Sequence, residues 1–74
     1  MAHGDLVTVD DCRVVAVSTK NESVLVHNDE WDEDLWFPDS QIDDNASEIY
    51  SGCKRGDTGK LVITEWIAKQ KGIL

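Results

Sequence analysis

This chain has one proline, one phenylalanine, one tyrosine and one methionine, and no lysine or arginine between positions 21 and 48. Each scarcity excludes something. Two cysteines, Cys12 and Cys53, are too few for a disulfide scaffold. Together with His3 and His27 they stand isolated, without the close ligand pairs of a zinc site. No apolar run approaches the roughly 20 residues a membrane span needs. The start, Met1-Ala2-His3-Gly4-Asp5, lacks the basic residues and apolar run of a signal peptide. The expectation is a reduced, cytoplasmic protein without a membrane segment, a cofactor or a metal.

Catalytic patterns are missing too. Ser40 has no Gly-x-Ser-x-Gly setting. The stretch Lys54-Arg55-Gly56-Asp57-Thr58-Gly59-Lys60 departs from the order of a phosphate loop, and Leu61 follows its last lysine. It reads as a turn. The acidic run Asp29–Asp34 contains no glycine for the sharp turn of a calcium loop. The reading is therefore of a protein without enzymatic activity.

What is present is charge of one sign. The net charge is -8. Residues 1–20 carry three acids and two bases, residues 21–48 ten acids and no base, and residues 49–74 two acids and five bases. Phosphate affinity rests on Lys and Arg, so this balance argues against direct nucleic-acid binding. At 74 residues the chain makes a single small domain, 1–74. A chain of this size buries only about 60% of its unfolded surface. Three tryptophans help to supply the core, since each carries much apolar area.

β-Branched runs dominate the first half. Leu6–Val9, Arg13–Ser18 and Ser23–His27 read as strands, with Asp10-Asp11 a bulge or tight turn and Thr19–Glu22 a connection. Asp34–Pro38 is a third strand, with Leu35 and Phe37 on one face and Trp36 on the other. Pro38 ends it or sets it at an edge. Ser40 stabilises the following turn and Ile42 returns to the core. Glu48–Tyr50 is a further short strand and Lys60–Ile63 the last one. Thr64 caps a helix over Glu65–Lys71, which Gly72 stops. The predicted fold is mainly β: a twisted antiparallel sheet or partly open barrel, SH3-like before OB-like, of four to five strands. Its C-terminal helix buries Trp66 and Ile67 against Val15, Val17, Leu25 and Phe37.

Two stretches, Trp36-Phe37-Pro38-Asp39-Ser40-Gln41-Ile42 and Gly59–Gly72 with its Glu65-Trp66-Ile67-Ala68 helix, carry a resemblance. The chain from about Val14 onward resembles small uncharacterised phage and prophage proteins with a Trp-x-Pro-x-Ser-Gln strand end and a Glu-Trp-Leu-Ala helix. Here Asp39 stands where those carry a basic residue, and Thr64 where a proline is common. The resemblance implies a phage or prophage accessory protein in a bacterial host and implies no activity.

The candidate partner-binding residues are Asp29, Glu30, Trp31, Asp32, Glu33, Asp34 and Trp36. Spaced carboxylates can imitate a phosphate backbone and steer a basic groove onto the chain. The expected partner is then a host or phage protein, one that itself handles nucleic acid. The plain alternative for the acidic run is a solvated loop. Two other readings stand beside it. One is a nucleic-acid or small-ligand barrel using Trp36 with Lys54 and Arg55. The other is a structural homodimer paired through the strand edge at Leu6–Val9.

Overall fold

The computed structural model describes residues 5–74. In chain order it contains β1 (Leu6–Ser18), β2 (Ser23–His27), β3 (Leu35–Pro38), a 3₁₀ turn (Asp39–Gln41), β4 (Thr58–Thr64) and α1 (Glu65–Gln70). The strands form one antiparallel sheet in the order β3-β2-β1-β4, curled into a half-barrel. The mainly β architecture with a short C-terminal helix is thus the one the sequence predicts.

The two expected N-terminal strands are one. Thirteen residues of β1 would extend about 40 Å at the usual rise per residue. The longest dimension of the molecule is 32 Å, so the strand bends. It does so at two register shifts, between Val9 and Cys12 against β4 and between Val14 and Ala16 against β2. Asp11 sits in the first with φ 59°, a left-handed conformation that aspartate tolerates better than most residues. The half before this bulge pairs with β4, Leu6 opposite Thr64 and Val9 opposite Leu61. β2 begins its pairing only at Arg13, opposite His27.

The other edge of β4 is covered irregularly. Ile42 bridges to Ile63, and Asp43 N–H donates to the Val62 carbonyl at 2.9 Å. Glu48 N–H then donates to the Lys60 carbonyl, while Lys60 N–H is accepted by the Glu48 side chain at 2.9 Å. The expected strand at Glu48–Tyr50 is therefore not a regular one: a carboxylate replaces the backbone carbonyl in the ladder. Gly59 makes this possible, because a Cβ there would lie 2.8 Å from Glu48 Oε1. The turn after β3 is also held differently. Asp39, not Ser40, anchors it, its carboxylate accepting from the backbone and hydroxyl of Ser51.

The core lies on the concave face. Val14, Val24, Val26, Phe37, Leu61 and Ile63 come from the strands, and Ile42, Ile49, Ile67 and Ala68 close it. Thr64 caps α1 as expected, its hydroxyl accepting from Ile67 N–H at 3.2 Å. Gly72, at φ 77°, ends the helix, and Ile73 N–H returns to the Ala68 carbonyl. The helix rests on β1 and β4. Trp66 departs from expectation: it is 59% exposed. A two-turn helix has one buried stripe, and Ile67 with Ala68 occupies it. Trp66 lies about 100° round the helix from Ile67, and the small Ala68 lets the helix approach the sheet.

Two substitutions separate these roles. Phe37→Ala should cost about 3–5 kcal/mol, whereas Trp66→Ala should stay within about 0.5 kcal/mol of the parent, as surface changes usually do. Urea denaturation followed by circular dichroism measures both. A large loss at Trp66 would place it back in the core.

Candidate functional site

The site is built at the point where β2 ends. Asn28 is buried, and a buried amide must find partners. Its Nδ2 donates to the Asp10 carbonyl at 2.8 Å, and its Oδ1 accepts from Glu30 N–H at 2.9 Å. Trp31 N–H donates to the Asn28 carbonyl. One side chain thus staples the start of the acidic loop to the bulge of β1.

His27, the last residue of β2, holds both ends of the same loop. Its Nδ1 lies 2.8 Å from Asp34 Oδ1 and its Nε2 lies 3.0 Å from Asp29 Oδ1. A neutral imidazole has only one N–H, so both contacts are satisfied only by the imidazolium. The bonds to Asp34 and then Asp29 raise the His27 pKa above the ordinary 6.5, against smaller opposing effects from desolvation and then Arg13. Asp29 and Asp34 are therefore engaged within the chain, while Glu30, Asp32 and Glu33 project into solvent.

The bulge adds acids that the linear sequence keeps apart. Asp10 and Asp11 line the same groove as Asp29 and Glu30. Its apolar part is Val7, Val9, Trp31, Ile73 and Leu74. Beyond Trp31 it continues past Asp32 and Glu33, where Lys71 is the single basic lining residue. A run of carboxylates read along the chain is thus, in space, an acidic rim around an apolar floor. Asp10 and Asp11 belong to this rim although the linear sequence places them outside the acidic run. Their local signal is the Asp10-Asp11 interruption of the β-branched run, and the register across the strands sets the direction in which that bulge turns.

The tryptophans divide. Trp31 is half-buried and packs on Phe37, ring centroids 5.8 Å apart and tilted by 41°. Trp36 is 42% exposed on the opposite face of β3, across from Leu25. It is not among the lining residues of the acidic groove. Lys54 and Arg55 are exposed in the turn whose Gly56 N–H bonds to the Val14 carbonyl.

Cys12 is buried, and burial raises its thiol pKa, only partly offset by Asn28. Cys12 and Cys53 are both free thiols. Among the described residues no three His, Cys, Asp or Glu side chains come close enough to hold a metal ion, and no helix is long and apolar enough to cross a membrane. No protein-family model matches the chain, and no curated protein or solved structure matches it either.

Two outcomes test the staple and the clasp. Asn28→Ala should cost about 1–3 kcal/mol, because it leaves buried backbone groups unsatisfied. For His27 the raised pKa sets the sign: its contribution to stability is complete below 6.5 and is lost as pH rises through the higher folded value. The melting-temperature gap between the parent and His27→Gln should therefore be widest near pH 6 and narrow towards pH 9. A gap independent of pH would show that the imidazolium does not hold the loop.

Proposed function

We propose that this chain is a non-enzymatic binding protein that captures a basic protein partner through the acidic face at the β1 bulge and the 28–34 loop. The observation that carries this reading is the convergence of Asp10 and Asp11 with Asp29 and Glu30 around one groove. Carboxylates from two separate stretches of chain line that groove together. Like charges brought together destabilise a compact domain. Asn28 and His27 hold them together nonetheless, and a basic partner relieves the repulsion on binding. His27 is engaged by two carboxylates and Cys12 is buried, in keeping with a binding role.

The resemblance of Trp36–Ile42 and Gly59–Gly72 to phage and prophage proteins supplies the setting. In a bacterial cytoplasm the abundant basic grooves belong to proteins that handle nucleic acid. Glu30, Asp32 and Glu33 would meet such a groove first, with Trp31 behind them as the apolar contact. Trp36 belongs to a different face and enters this reading only if the partner wraps around the edge of β3.

The reading predicts that Asp32→Lys combined with Glu33→Lys abolishes capture of basic proteins from a bacterial lysate and leaves the melting temperature unchanged. Capture by the parent should also fall with salt, since the Debye length shrinks from about 10 Å at 0.1 M to about 3 Å at 1 M. Equal capture by parent and double variant, with the same proteins identified by mass spectrometry, refutes it.

A further inference from the structure

Among the described residues the first half of β1 has one paired edge and one open edge. In an antiparallel ladder successive residues turn their N–H and C=O groups alternately to the two sides. Glu65 N–H donates to the Asp5 carbonyl, which sets the phase. Val7 and Val9 exchange bonds with Ile63 and Leu61 of β4, and Leu6, Thr8 and Asp10 turn theirs away from it. The same phase appears on the far side of β4, where Lys60 and Val62 bond outward to Glu48, Asp43 and Ser47. At Asp10 the outward carbonyl is taken by Asn28 Nδ2. Beyond it the chain of β2 has already left the sheet at His27. Among the described residues no strand pairs with Leu6 or Thr8 on that side.

This open edge borders the acidic groove, which Val7, Thr8, Val9, Asp10 and Asp11 line together with Trp31 and Ile73. We propose that the groove receives an extended, lysine- or arginine-bearing peptide segment as an added strand along Leu6–Asp10. The proposal rests on the binding function above and specifies how the partner docks. A strand laid there would bond to the outward backbone groups of Leu6 and Thr8. Its side chains would alternate between the two faces of the sheet. Those beside Val7 and Val9 meet Trp31 and Ile73 and are apolar. Those beside Thr8 and Asp10 meet the carboxylates of Asp10, Asp11 and Asp29 and are basic. A second copy of this chain is the wrong occupant, because it would bring another -8 of charge and its own Asp10 and Asp11 to the same edge. Like-charge juxtaposition of that kind suppresses a pairing.

The test uses the ¹⁵N-labelled protein and a synthetic capped peptide of alternating lysine and valine. Two further peptides have the same sequence, each N-methylated on one alternate set of residues. On binding, the Thr8 amide should exchange with solvent at least tenfold more slowly, whereas the Val7 and Val9 amides are protected with or without peptide. One methylated peptide should lose at least tenfold in affinity and the other should retain it, since only one edge of the added strand faces β1. Thr8→Pro removes the outward N–H without touching the β4 ladder, and it should abolish peptide binding with the melting temperature preserved. Should that variant fail to fold, the methylated peptides decide alone. Equal binding of all three peptides with unchanged Thr8 exchange overturns strand addition. So does failure of the unmodified peptide to bind. In either case, capture that still depends on Asp32 and Glu33 leaves the acidic-face reading standing, and loss of both results removes both.

Discussion

A strand too long for the molecule that contains it has to bend, and most of this structure follows from where β1 does so. β4 pairs with it from Leu6 to Arg13 and β2 from Arg13 to Ser18. The bulge at Asp10 and Asp11 lets one strand serve both, turning the sheet into a half-barrel. Bulges increase local twist and interrupt pairing, and here both effects are used. The twist wraps the sheet around Phe37 and Leu61, while the interruption leaves the backbone of Leu6 and Thr8 without a neighbour from β2.

The same bend gathers charge. Asp10 and Asp11 stand about twenty positions before the acidic loop, yet they share a groove with Asp29 and Glu30. Such crowding opposes folding in a domain whose core is small. Two neighbouring residues offset it: the Asn28 side chain ties the loop to the Asp10 carbonyl, and His27, when protonated, places a positive charge between Asp29 and Asp34. Both sit at the end of β2, so the element that leaves the groove open also sets its walls. Trp31 gains a defined position from this arrangement. Without the Asn28 turn, a tryptophan among four acids would have no reason to lie on Phe37.

Much of the fold was legible in the residues because the local signals agree. Val24-Leu25-Val26 and Leu61-Val62-Ile63 prefer a pleated surface, Pro38 ends a strand, and Thr64 with Gly72 delimits a helix. Expectation and structure part where two local choices are nearly equal and distant packing decides. Trp66 and Ile67 compete for one helical stripe, and the fit of Ala68 against the sheet gave it to Ile67. Glu48–Tyr50 has the composition of a strand, but close approach at Gly59 let the Glu48 side chain take the place of its own backbone. At the turn after β3, Ser40 and Asp39 are both able to anchor; the position of Ser51 selected Asp39.

The sequence by itself determined the class of fold, the strand-forming segments and the presence of an acidic middle, because propensity, alternation and charge are properties of neighbouring residues. It could not determine which acids share a surface, which tryptophan stands inside the groove, or that one half of β1 keeps an open edge. Those depend on register across strands, and register is set by the summed burial of side chains far apart in the chain. Only the tertiary structure, through the bulge at Asp11 and the bonds of Asn28, turned a list of carboxylates into a groove with a floor, a rim and a direction.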